Sequence, residues 1–242
     1  HWFKPLLAPL LVSLALVSCA ASTLETGTTG ETTPEPAPET AQTPPPPVVE
    51  SVEPVTLVEG LEHPWGMVWL PDGDMLITER PGRLRRVSNG ELDPTPIAGV
   101  PDVLALSQGG LLDLALHPQF DSNGLIYFAY ADGTQQTNRT QVARARLDGN
   151  TLTDWTVIFT NNRDKSGGQH FGSRLLWLPD DTLLVALGDG GNPPLELEGE
   201  LIRNQAQNRQ SLLGSVVRIT DEGDTPADNP FVDEAGANPL IW

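Results

Sequence analysis

From residue 54 onward the chain alternates short apolar runs with Pro, Gly and acidic turn residues. Three stretches share one plan: "WGMVWLPDGDMLITE" (residues 65–79), "LLDLALHPQFDSNGLIYFAY" (111–130) and "SRLLWLPDDTLLVALGD" (173–189). Each is an apolar run, a proline, a polar or Gly-containing turn and a second apolar run, the pattern of strand, turn and strand. The prolines at the shared position, Pro71, Pro118 and Pro179, lie 47 and 61 residues apart. Between these units, "GRLRRVSNGEL" and "TQVARARLDGNTLTDWTVIF" supply further strand pairs with Asn-Gly and Gly-Asn turns. A helical pattern is confined to residues 197–208. Recurring units of this length, with about four short strands each, predict an all-β protein of the β-propeller class. About three and a half blades fit into residues 54–242, and propellers close at about four to eight. The expectation is therefore an N-terminal fragment of a longer propeller, an open arc that folds poorly and is inactive by itself.

The first 53 residues follow different rules. Residues 1–18 join a cation at Lys4 to an apolar run, 6–17, followed by small residues. That run is too short to span a bilayer and has the form of an export signal. "LVSC", ending at Cys19, resembles the bacterial lipoprotein signal, in which cleavage precedes a cysteine that is then lipidated; a plain signal peptide that contains a cysteine is the alternative. Residues 19–53 hold seven prolines and no aromatic side chain. Such a segment buries too little apolar surface to offset its ordering entropy, which predicts a disordered Thr/Pro/Glu-rich tether. Residues 54–242 form the folded domain. The expected setting is outside the cytoplasm, periplasmic or at the cell surface, with membrane contact only through a lipid anchor.

Composition removes several function classes. The formal charge is −18, from 14 Lys and Arg against 32 Asp and Glu, so phosphate backbones are repelled and nucleic-acid binding is set aside. Cys19 is the one cysteine, which leaves no intrachain disulfide and no thiol or zinc cluster. Neither a serine nucleophile elbow nor a phosphate-binding Walker loop occurs.

With four histidines in the chain, acid–base chemistry has few places to sit. His170 precedes the third unit and Asp189 follows it, within "SGGQHFGSRLLWLPDDTLLVALGDGG". With Asp180 and Asp181 as a two-residue turn, Leu178 faces Leu183 and position 189 falls opposite Gly172, two residues from His170. Histidine and carboxylate then emerge at one end of a single hairpin, among glycines that permit close approach of a ligand. A carboxylate beside an imidazole fixes its tautomer and raises its basicity, as a general base requires. Ordinary turn capping by the same two residues is the competing reading. Gln108 lies ten residues before Pro118 much as His170 lies nine before Pro179, so both stand at blade entrances, where a propeller's central channel usually takes a small ligand. His63 reads as structural because Pro64 follows it, and His117 as a turn residue before Pro118. The oxygen-rich run 220–231 lacks EF-hand spacing and reads as a solvated turn. Asn138-Arg139-Thr140 matches a glycosylation sequon that carries little weight in a bacterial-type lipoprotein.

Five motifs, "HPWGMVWLPDGDMLITER", "SQGGLLDLALHPQF", "GGQHFGSRLLWLPDDTLLVALGD", "LLGSVVRITDEGDTPADNPF" and "NPLIW", resemble in this order the quinoprotein aldose (glucose) dehydrogenases. The resemblance implies a six-bladed propeller that binds pyrroloquinoline quinone (PQQ) with calcium and oxidises aldoses to lactones. It gives His170 the role of general base, Asp189 that of its supporting acid, and Gln108 a contact with the quinone. It places an Arg–Asn pair and the calcium ligands beyond Trp242, so no metal ligand is expected within these residues. Two other readings stay open: a surface-displayed propeller that only binds a ligand, and a propeller sugar lactonase, which needs a cluster of carboxylates lining the channel. Which sugar is used, and which electron acceptor, is not specified by the sequence.

Overall fold

The computed structural model describes residues 51–242; the readings of residues 1–18, of Cys19 and of the tether up to residue 50 fall outside the described residues. The compact unit runs from Glu53 to Trp242. Its strands, in chain order, are β1 (Pro64–Trp69), β2 (Met75–Glu79), β3 (Arg83–Ser88), β4 (Glu91–Leu92), β5 (Leu111–Leu116), β6 (Leu125–Gly133), β7 (Asn138–Asp148), β8 (Thr151–Thr160), β9 (Gly172–Trp177), β10 (Leu183–Leu187), β11 (Glu196–Leu197), β12 (Glu200–Leu201) and β13 (Val216–Ile219). The first four form one antiparallel meander, β5 to β8 a second, and β9, β10 and β13 a third. Ile241 bridges Val217 on the free edge of β13, and Trp242 N–H donates to Val216 O, so residues 240–242 begin a fourth strand of that sheet. The described residues thus build three blade-like sheets, and the fraction of a blade expected beyond three is used within the third. The segment between β10 and β13 holds the small β11–β12 ribbon and a 3₁₀ helix, Ile202–Gln207, inside the window where helical pattern was expected.

Side-chain alternation explains why the sheets stack. Ile126, Phe128 and Tyr130 of β6 bury one face against β1–β3 residues such as Leu76 and Leu84. Tyr127 and Ala129, on the opposite face, pack against Leu175, Val185 and Val217 of the third sheet. A strand covered on both faces reads as a continuous apolar run, which is what "LIYFAY" is. Phe128 and Tyr127 are both fully buried, so truncating either to Ala costs about 3–5 kcal/mol.

The first strands of the sheets, β1, β5 and β9, stand side by side. Gly66 of β1 lies so close to β5 that a Cβ there would fall 2.8 Å from Asp113 Oδ1. Thr78 Oγ1 donates to Leu112 O, and Leu175 N–H donates to Asp113 Oδ2 at 2.7 Å. Desolvation raises the pKa of buried Asp113, while the Leu175 amide and Arg174 oppose the rise. These links set the three entrances beside one another.

The turns correct the expected hairpin register. Leu178 N–H bonds Thr182 O, and Asp181 N–H bonds Leu178 O with Asp181 at φ 61°. This is a three-residue loop, a type I turn closed by a left-handed residue, rather than the two-residue turn expected. The first sheet uses the same loop, with Leu70 N–H on Asp74 O and Gly73 at φ 93°. Leu183 therefore pairs Trp177, not Leu178, and a bulge at Ser173 (φ 90°) slips the register again, so that Leu187 pairs Gly172. Asp189 comes to lie opposite His170 itself.

Candidate active site

His170 sits in the loop between β8 and β9, in left-handed backbone at φ 50°. Asn138 holds this loop in place: its N–H and C=O pair with those of Lys165, and its buried side chain donates to Thr134 O and Gly167 O. The sequon residue is therefore a structural brace. At the mouth of the hairpin, Gly188 N–H donates to Phe171 O, and a Cβ on Gly188 would fall 2.0 Å from His170 O. Only glycine lets the two strands approach so closely, and that approach joins the candidate pair.

His170 Nδ1 lies 2.6 Å from Asp189 Oδ1, with the two side chains 28% and 31% exposed. A carboxylate only accepts, so Nδ1 carries a proton, and in the neutral ring the lone pair is on Nε2. Gln108 accepts the His170 backbone N–H on Oε1 at 2.9 Å and donates its own N–H to Gly168 O. Those two bonds tie the entrance of the second sheet to that of the third. The Gln108 amide NH₂ makes no hydrogen bond among the described residues. All three residues singled out in the sequence thus gather at one mouth.

Three further side chains belong to this site and carry no signal in the sequence. Asn192 Nδ2 lies 3.3 Å from His170 Nε2, Arg203 Nη2 donates to Asn192 Oδ1 at 2.9 Å, and Gln169 Oε1 lies 3.4 Å from Asn192 N. They come from the loop after β10, from the 3₁₀ helix and from beside His170, and no spacing rule links those positions.

Two other histidines fall within the described residues. His117 is buried, its Nδ1 accepts from Gln119 N–H and Asn123 Nδ2, and its ring packs on Tyr127 and Trp177. His63 stands exposed at the entrance to β1. Within 220–231, Asp228 and Asn229 bind Arg218, which also holds Asp180, whereas Glu222 pairs with Arg144. No group of three or more His, Cys, Asp or Glu able to hold a metal occurs among the described residues.

Antiparallel four-stranded meanders set side by side define part of a β-propeller, with His170, Asp189 and Gln108 meeting at the entrances of its second and third sheets. The chain belongs to the glucose/sorbosone dehydrogenase family, whose model matches residues 61–242. An uncharacterized protein of Synechocystis sp. is 55% identical over 97% of this chain and 59% of its own length. An aldose sugar dehydrogenase of Escherichia coli is 40% identical over 77% of this chain and 48% of its own. The crystal structure of the E. coli enzyme in its apo form superposes with a TM-score of 0.67 over 75% of this chain and 51% of that one. The PQQ-bound form of an aldose sugar dehydrogenase from Streptomyces coelicolor superposes with a TM-score of 0.62 at 27% identity, over 78% of this chain and 52% of that one. The chain spans about half the length of these relatives.

Proposed function

We propose that this chain contributes the base-carrying half of the active site of a PQQ-dependent aldose dehydrogenase, which oxidises the C1 hydroxyl of aldose sugars to the lactone. The observation that carries the reading is the 2.6 Å contact between His170 Nδ1 and Asp189, which leaves Nε2 as an acceptor at the channel mouth. Nε2 takes the proton of the anomeric hydroxyl as the C1 hydride departs. Asp189 keeps the ring in the reactive tautomer and stabilises the imidazolium that forms. Gln108 has one half of its amide committed to the His170 backbone, and its NH₂ would help to hold the quinone by donating to it. When bound, PQQ supplies the two-electron acceptor for that hydride. The PQQ-bound relative from S. coelicolor supports the choice of cofactor. The entrances carry Gln and His rather than a set of carboxylates, which disfavours lactone hydrolysis.

Positioned acid–base catalysis contributes about 10²–10⁴-fold. In a chain extended to the length of its relatives and loaded with PQQ, His170→Gln is expected to lower turnover by at least that range while quinone binding stays nearly intact. Unchanged turnover removes His170 from the role of base.

A further inference from the structure

His170 Nε2 has a neighbour of its own, the Asn192 amide 3.3 Å away. Every atom in this chain of contacts has one possible role. Arg203 can only donate, so the Asn192 oxygen faces Arg203 at 2.9 Å and its NH₂ faces the imidazole. Gln169 Oε1, 3.5 Å from the same NH₂, agrees with that orientation. Asp189 can only accept, so Nδ1 carries the hydrogen, and the amide NH₂ that faces Nε2 leaves that nitrogen to accept with its lone pair. The Asn192 NH₂ therefore points at the one atom that a general base must offer to substrate.

We infer that Asn192 is a displaceable cap on the His170 Nε2 lone pair, oriented by Arg203 of the 3₁₀ helix. The inference rests on the reading of His170 as base and deepens it. In the empty site the cap occupies the place of the sugar hydroxyl and holds the ring in register with Asp189. An entering aldose puts its C1 hydroxyl where the amide N–H stood. Asn192 is a positioning residue that acts through His170, and Arg203 acts through Asn192.

Both residues are exposed, so truncating either leaves the core intact, and melting temperatures serve as the control. The probe is diethyl pyrocarbonate acting on the full chain without sugar or quinone, with modification of His170 followed by peptide mass spectrometry. It reacts with the imidazole lone pair and requires no turnover, so a failed cap and a failed dehydrogenase reading give different results. Loss of one neutral hydrogen bond corresponds to about a fivefold change. Asn192→Ala is expected to speed modification of His170 about fivefold, Arg203→Ala to speed it by less, and the double variant to match Asn192→Ala alone. An unchanged rate in either single variant, or a double variant faster than Asn192→Ala, overturns the inference. The ¹⁵N spectrum of the imidazole gives a second reading: the Nε2 resonance shifts in Asn192→Ala with the tautomer preserved, and an unshifted resonance counts against the cap.

Discussion

Lys165 is 4% exposed, and its buried amine has no hydrogen-bond partner among the described residues and lies 3.7 Å from the centre of the Phe171 ring. Burial pushes its pKa from 10.5 down to about 8. Between pH 8 and 10.5 the unfolded chain holds a proton that the folded chain has released, so stability rises with pH across that window and the full penalty applies below it. Lys165→Met keeps the contact with Phe171 and removes the charge. It is expected to gain up to about 3 kcal/mol at pH 7 and to flatten the slope between pH 8 and 10.5, read by denaturant unfolding across that range. A slope that persists in the variant assigns it to another group. The nearby His170 was legible in the sequence because histidines are few and this one sits among glycines at a hairpin mouth. Asn192 and Arg203 were not, since an amide and a guanidinium are ordinary surface residues until a fold aims them at one atom.

The hairpin of β9 and β10 was readable as an element and misread in register. The "LPDD" turn looks like a two-residue loop, but Asp181 adopts the left-handed backbone that a glycine holds in the equivalent "LPDG" loop of the first sheet. That adds a residue to the loop, and the Ser173 bulge adds another slip, which brings Asp189 directly opposite His170. Neither a left-handed aspartate nor a bulged serine has a reliable sequence mark, because both are imposed by the sheet around them. The glycine that permits the close pairing was visible, but its purpose was not. Gly188→Ala places a methyl 2.0 Å from the His170 carbonyl and must spread the two strands. The expected cost is about 1–3 kcal/mol, read as a lowered unfolding midpoint, with loss of the Asp189-bonded Nδ1 proton from the NMR spectrum. Retention of that proton at unchanged stability means the mouth is looser than described.

At the scale of the whole molecule, three stacked sheets bury β6 on both faces, whereas Met67, Trp69, Leu176 and Val216 of the outer sheets stand exposed. The propeller class was legible because the strand, proline, turn, strand unit recurs, and because a strand covered on both faces gives an unbroken apolar run. Blade number was less so, since the insertion between β10 and β13 is longer than a hairpin while contributing no strand to the third sheet. His170, Asp189 and Gln108 meet at the entrances of the second and third sheets, and the proposed chemistry needs further residues to hold the quinone against them. The most direct measurement is dye reduction by the protein at the length of its relatives, supplied with PQQ, calcium and a panel of aldoses, with lactone followed in parallel. Dye reduction that requires PQQ and keeps pace with lactone formation is the expected result. Tight quinone binding with no dye reduction on any aldose, or consumption of added lactone in its place, contradicts it.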